Sequence, residues 1–158
     1  MSYKRKTWNE KLADNKGLPK VCEAMASKRG GIGTFVIPAP SEVDALMRRV
    51  RKGRLTTIDE LRHVLARQHG TNSACPITTG IFAWIAAHAA AESAAEGTSR
   101  ITPYWRTLKS KGELNPKYTG GVPALKKRLH AEGHKIVQKG NRFFVKDFAR
   151  HLAAFKEA

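Results

Sequence analysis

Residues 61–100 hold only three basic and two acidic groups, and from Pro76 to Glu96 most positions are apolar, many of them alanine. A segment so nearly neutral and apolar fits a buried core. The flanks are the opposite: residues 1–60 hold 13 basic and seven acidic groups, and residues 101–158 hold 13 and four. The chain reads as an apolar core between cationic shoulders. Its 158 residues suit one folded unit with a tail. No run approaches the ~18 uninterrupted apolar residues that a membrane-spanning helix requires. No apolar stretch follows the basic start, as a secretory leader would need. Cys22 and Cys75 are too few for a disulfide framework or a zinc site. The expected setting is the reducing cytoplasm.

The net charge of +16 points to a polyanionic partner. A membrane surface fits poorly, since no basic segment carries an apolar face with Trp or Phe anchors. A generally basic soluble protein is the plain alternative; DNA or RNA is the sharper one.

Local signals order the chain. Residues 1–20 are polar and basic around isolated Trp8 and Leu12, an arm or a short helix. Lys28-Arg29-Gly30-Gly31-Ile32-Gly33 is a basic turn without the Lys-Ser/Thr ending of a phosphate-binding loop. Thr34–Ile37 is strand-like and stops at Pro38-Ala39-Pro40. A helix is expected from Ser41, with Ser41 and Asp44 as its capping pair, Val43, Leu46, Met47 and Val50 as its buried stripe, and Gly53 as its end. A second opens at Thr57 with Glu60 in a capping box, buries Ile58, Leu61, Val64 and Leu65, and stops at Gly70. A third starts near Pro76 and runs to about Glu96. Helix, short polar turn, helix is the outline of a DNA-binding helix-turn-helix. Thr78, Thr79 and Gly80 would let the third helix approach phosphates or bases closely; the same residues could simply pack and cap.

Farther on, Lys135–Gln138 and Arg142–Val145 read as a hairpin around Gly140-Asn141. Asp147 reads as the cap of a short helix with Phe148, Leu152 and Phe155 on one face. The hairpin is either a wing on a nucleic-acid backbone or cover for the core. Cys75, at a helix start, is a small packed residue or an activated thiol. The six histidines show no metal-ligand spacing, so neither metal nor cofactor is expected.

Residues 101–134 carry the most specific pattern. Pro103-Tyr104-Trp105-Arg106 is followed by Gly112-Glu113-Leu114, then Tyr118-Thr119-Gly120-Gly121, then Leu129 through Glu132-Gly133. In order and spacing this resembles the DNA-binding domain of the O6-alkylguanine-DNA alkyltransferases. That family has an Ile-Pro-Cys-His-Arg-Val motif, then a Gly-x-Leu turn, a Tyr-x-Gly-Gly loop and a helix ending in Glu-Gly. Val43, Gly53, Thr56-Thr57 and Glu60-Leu61 resemble the family's preceding helix and turn more loosely, so the resemblance spans about residues 41–134. It implies an α+β, mostly helical fold: a winged helix-turn-helix-like alkyltransferase DNA-binding domain with short β elements. Residues 1–40 would be a basic arm with a short strand, 41–134 that domain, and 135–158 a basic hairpin and C-terminal helix packed on it.

The departures bear on activity. In the family a cysteine thiolate takes the alkyl group from guanine, with the neighbouring histidine acting through water as base. Tyr104 stands at the cysteine position and Trp105 at the histidine position. A phenol, with a pKa of about 10, is a poor alkyl acceptor at neutral pH. Glu132, matching the glutamate that orients that histidine, is expected to be structural and to pair with a cation such as Arg106. The pattern is closer to the alkyltransferase-like proteins, non-enzymatic relatives with a bulky residue in place of the cysteine.

The resemblance implies a DNA-repair protein that recognises alkylated or modified bases in double-stranded DNA by base flipping, without alkyl transfer. Pro103, Tyr104, Trp105, Tyr118, Thr119 and Gly120 would line the base pocket, where an aromatic floor can stack on a flipped base. Thr57, Thr78, Thr79, Arg106, Lys109, Lys111 and Lys117 would contact the DNA. The competing reading of Tyr104-Trp105 is aromatic core packing. The family's flipping tyrosine is Ile58 here, and its arginine finger falls at Ile77 or Thr78, where Ile77 is a candidate apolar wedge between base steps. No catalytic residue is assigned. A DNA glycosylase or nuclease on the same scaffold, or a general nucleic-acid-binding module, remains the alternative. The expected partners are DNA and a repair protein, the expected form a monomer near the nucleoid.

Overall fold

A computed structural model describes residues 5–23 and 33–155. The elements are α1 (Trp8–Ala13), β1 (Lys20–Glu23), β2 (Thr34–Ile37), α2 (Pro40–Arg48), β3 (Thr56–Thr57), α3 (Ile58–His69), β4 (Ser73–Ala74), α4 (Pro76–Ala95), β5 (Thr107–Leu108), α5 (Gly121–Ala131), β6 (Ile136–Lys139) and β7 (Arg142–Val145). Three 3-10 turns, Tyr104–Arg106, Ser110–Gly112 and Phe148–His151, complete the order. The class is α+β. The basic turn at residues 28–32 lies outside the described residues. Among the described residues no helix is long and apolar enough to cross a membrane.

Helix α4 is the axis of the molecule. Thr79, Phe82, Ala83, Ala86, Ala87, Ala89 and Ala90 are buried along it. Alanine ends at Cβ, so α1, α2 and α3 all pack against this helix at short range. The N-terminal arm contributes α1, whose start is fixed by a capping box between Thr7 and Glu10. Trp8 stacks on His88, with ring centroids 4.5 Å apart, and meets Trp84 edge-on at 4.9 Å. The Glu92 carboxylate accepts the N–H groups of Trp8 and Asn9 at 3.0 and 3.2 Å.

The stripe Val43, Leu46, Met47 and Val50 is buried as the spacing predicts. The capping of α2 differs from the expectation. The helix starts at Pro40, and the Glu42 carboxylate accepts the Ala39 N–H at 3.0 Å. Proline fits the first helical position, which moves the start one residue earlier and frees Ser41 and Asp44 for other partners. The Ser41 hydroxyl donates to Asn15 at 3.0 Å. Asp44 accepts from Arg48 at 3.0 Å and from the Thr102 hydroxyl at 2.6 Å. Gly53 does not end this helix, which stops at Arg48; its φ of 85° serves the turn that follows.

Helix α3 begins and ends where expected: the Thr57 hydroxyl accepts the Glu60 N–H at 3.1 Å, and Gly70 closes the far end in the left-handed region. The turn to α4 contains β4, which pairs parallel with β2 (Phe35 with Ser73, Val36 with Ala74), while β1 pairs antiparallel with β2. Strands β3 and β5 pair parallel, Thr56 with Thr107 and Thr57 with Leu108. That pairing sets the start of α3 beside the 104–106 turn.

The hairpin β6–β7 forms around the expected Gly140-Asn141 turn, with its first strand one residue later than read, at Ile136–Lys139. The Leu114 N–H donates to the Phe143 carbonyl at 2.8 Å, and Val145 is buried. One face therefore covers the core while the Gly140-Asn141 end is exposed. Asp147 does not cap the last turn with its side chain. It lies in the left-handed region (φ 55°), and its carbonyl accepts the Arg150 N–H at 3.0 Å. Gly112 is required beneath that turn: its φ is 82°, and a Cβ there would lie 2.4 Å from the Phe148 ring. Leu55 receives the chain end through its N–H to the His151 carbonyl and its carbonyl to the Ala153 N–H, both 2.8 Å.

Two outcomes follow from these contacts. Thr57→Ala is expected to lower stability by about 1 kcal/mol, read as a lower urea midpoint at unchanged slope. His134 is buried, with no hydrogen-bond partner on Nε2. Burial, reinforced by the charges of His151 and Arg106 against the opposing pull of Glu132, depresses its pKa. The unfolded chain therefore binds this proton first, so the stability linked to neutral His134 is intact above about 6.5 and declines as the pH falls below it. Unfolding free energy measured from pH 7 to pH 5 should fall less steeply in His134→Asn than in the natural chain.

Candidate nucleic-acid interface

Parallel pairing of β3 with β5 brings the 104–106 turn under α4, and this decides the fate of the aromatic cluster. Tyr104 is 6% exposed and Tyr118 2%. The Tyr104 ring meets Trp105 edge-on at 5.4 Å and Tyr118 at 6.2 Å. Burial pushes the Tyr118 phenol well above its ordinary pKa, against a smaller opposing hydrogen bond from Asn115. Pro103 is buried too. The expected open floor of a base pocket is thus closed, because these rings fill the space between one another. Thr119 and Gly120 lie nearer the surface, half-buried and exposed.

Behind the rings sits a shared carboxylate. Glu132, at the end of α5, accepts from Trp105 Nε1 at 3.0 Å, from Arg106 Nε at 2.8 Å and from Arg106 Nη2 at 2.7 Å. The second guanidinium arm, Nη1, donates to the Val50 carbonyl at 2.7 Å. The side chains are 13% and 7% exposed. Burial alone would raise the Glu132 carboxyl; the Arg106 guanidinium and the Trp105 N–H outweigh it and hold it below the usual carboxylate range. Glu132 pairs with Arg106 as the sequence reading expects, and for that reason Arg106 does not reach outward to phosphates.

The remaining expected DNA contacts divide by burial. Thr57 and Thr79 are buried: the first caps α3, and the second donates to the Cys75 carbonyl at 2.6 Å. The Thr78 hydroxyl is also shielded from solvent. Lys109, Lys111 and Lys117 are exposed, with Lys109 3.8 Å from Glu113. Cys75 is half-buried at the start of α4. Burial raises its thiol, but the Thr78 hydroxyl, the first N–H groups of the helix and the Arg62 charge together leave it below its ordinary value.

An open groove lies instead along the first turns of α4. Ile77, Gly80, Ile81, Trp84, His88 and Lys117 line a space of about 590 Å³. Ile77 is 71% and Ile81 45% exposed, although Phe82, Ala83, Ala86 and Ala87 on the same helix are buried. The Lys117 carbonyl accepts from Trp84 Nε1 at 3.2 Å and lies 3.3 Å from His88 Nε2, while Thr119 Oγ1 lies 2.9 Å from His88 Nδ1. A carbonyl can only accept, so one neutral tautomer, with the proton on Nε2, satisfies both contacts. These bonds hold the loop of Lys117 and Thr119 against the helix and form one wall. Ile81, Trp84 and His88 escaped the sequence reading as site residues because helical spacing alone assigns them to a core.

A second feature passed unread in the sequence. Arg48, Arg49, Arg51, Lys52 and Arg54 place five cations within seven residues. Arg48, Arg49, Arg51 and Arg54 line a groove of about 720 Å³ against Leu152, Ala153 and Ala154. The signal was visible as a charge run, but it fell where a helix end and a turn were expected.

The solved structures place this architecture. The fold is that of the alkyltransferase-like proteins. S. pombe Atl1 in complex with damaged DNA containing O6-carboxymethylguanine matches with a TM-score of 0.52 and 20% identity, over 73% of this chain and 94% of that one. The S. pombe ATL in complex with DNA matches to the same extent. No protein-family model and no curated protein matches the chain.

Removing one partner of a buried ion pair leaves the other charge uncompensated. Glu132→Gln is therefore expected to cost about 3 kcal/mol in chemical denaturation. The depressed carboxyl contributes stability above the ordinary glutamate range, and that stability is lost as the pH falls through the folded value. The natural chain should accordingly lose stability below about pH 4.3 more steeply than the Gln variant.

Proposed function

We propose that this protein binds double-stranded DNA and reads alkylated or otherwise modified bases without transferring the alkyl group. The observation that carries the reading is the exposed apolar edge Ile77–Ile81 on the first turns of α4, beside Trp84 and His88, in a chain of net charge +16. Exposed apolar side chains on an otherwise buried helix need a reason. Wedging between base steps is one that suits a cationic protein. The fold shared with chains solved on DNA supports the same reading.

In this proposal Ile77 enters the stack, and the groove lined by Gly80, Ile81, Trp84 and His88 receives the displaced base. Trp84 and His88 offer ring surfaces, and the Lys117–Thr119 loop with Gly120 forms the rim. Tyr104, Trp105 and Tyr118 act as the buried backing that keeps α4 and this loop in place. Lys109, Lys111 and Lys117 hold the phosphates. No thiol lies at the Tyr104 position, so the modified base leaves as it arrived. A repair protein would then act on the marked site.

Binding to duplexes with and without O6-methylguanine, followed by fluorescence anisotropy, tests the reading. The modified duplex should bind more tightly, with both strands intact on a denaturing gel. Ile77→Ser should reduce that preference by about tenfold while thermal unfolding stays unchanged. Tyr104→Phe, which keeps the ring and drops only its hydroxyl, should leave the preference intact. Equal affinity for both duplexes would overturn base reading; released base or cut strands would point to an enzyme instead.

A further inference from the structure

The groove at residues 48–54 has no role in the reading above. It shares no lining residue with the α4 groove. Arg51, Lys52 and Arg54 are exposed. Asp44 is engaged by Arg48 and Thr102, and Glu132 by Arg106 and Trp105. No ion pair to Arg51, Lys52 or Arg54 occurs among the described residues. The loop is also held in shape. Arg106 Nη1 grips the Val50 carbonyl, the Arg54 N–H donates to the Arg51 carbonyl at 2.9 Å, and Leu55 is pinned on both sides by the chain end. On its other side Lys52 joins Lys127 and Arg128 of α5 in a neighbouring concave surface beside Trp105.

We propose that this arginine groove is a second phosphate-binding surface, which takes the sugar–phosphate backbone of DNA outside the α4 groove. Guanidinium forks suit the paired oxygens of a phosphodiester, and Arg51 and Arg54 supply two of them at the exposed mouth of the groove. An ordered loop presents those charges at low entropic cost. The Leu152–Ala154 wall supplies a smooth, uncharged side against which deoxyribose can lie. The occupied backbone belongs either to the flank of the duplex held at α4 or to a neighbouring duplex. The chemistry is the same in both cases. This inference rests on the DNA-binding reading and extends its footprint.

The test is the salt dependence of binding. Each phosphate neutralised on duplex DNA contributes ~0.9 to the slope of log affinity against log salt. The double variant Arg51→Gln with Arg54→Gln should therefore flatten the slope by about two units. It should weaken plain and modified duplexes to the same degree and leave the preference for O6-methylguanine unchanged. The paired variant Arg51→Lys with Arg54→Lys should restore most of the slope, and circular dichroism melts of both should match the natural chain. A slope change seen only with long duplexes assigns the groove to the flank of one duplex. A change seen with short ones, together with lost bridging of two duplexes, assigns it to a neighbour. Either result supports the proposal. A steep natural slope left unchanged in the Gln variant overturns it while the DNA reading stands. If polyglutamate binds the natural chain, loses affinity in the Gln variant, and the DNA slope does not move, the groove is a site for acidic protein and the proposal fails. If the natural chain binds no duplex at all, the DNA reading itself fails.

Discussion

A single buried carboxylate ties three distant parts of this chain together. Glu132 at the end of α5 holds the Trp105 indole and both Nε and Nη2 of Arg106, and the free arm of Arg106 reaches back to Val50. Taking two charges out of water costs several kcal/mol per ion in real proteins, so such a pair persists only when its geometry is good. Here it is, and the consequence is directional rigidity. The 104–106 turn, the end of α5 and the 48–54 loop cannot move independently while the pair is intact. The aromatic cluster above and the arginine groove beside it both inherit that order.

The same arrangement explains why the rings of the 104–106 turn belong to the core. The Tyr104 ring packs edge-on with Trp105 and Tyr118, and the three form core. Glu132 accepts the indole N–H and the guanidinium from behind them. The open apolar surface lies instead on the face of α4, where Ile77 and Ile81 are exposed. Two surfaces of different character result: an apolar, ring-lined groove at α4, and a guanidinium-lined groove at the 48–54 loop.

Much of the fold was legible because the signals were local. The Thr57 cap, the Gly70 stop, the stripe of Val43, Leu46, Met47 and Val50, and the Gly140-Asn141 hairpin depend on residues only a few positions apart. Where a rule was misapplied, a neighbour had won: Pro40 took the helix start from Ser41, and the left-handed backbone of Asp147 left its side chain out of the cap. The site was less legible. Arg106 and Lys109 look alike in sequence, yet one is locked to Glu132, 26 residues away, and the other is exposed. Thr57 and Thr79 look like surface hydroxyls, yet each is enclosed by packing from other elements.

From its residues alone, then, this chain has to place most of the segment 76–95 in its core, to surround it with short capped elements and to present a cationic exterior, because periodicity, turn chemistry and charge are properties of neighbouring residues. Whether an aromatic ring floors a pocket or plugs it depends on what long-range pairing brings against it. The parallel union of β3 with β5 carries Tyr104 beneath α4, and the ion pair of Glu132 with Arg106 locks it there. Those contacts join residues dozens of positions apart, and only the tertiary structure could decide that the opening lies at Ile77 and Trp84 and not above Tyr104.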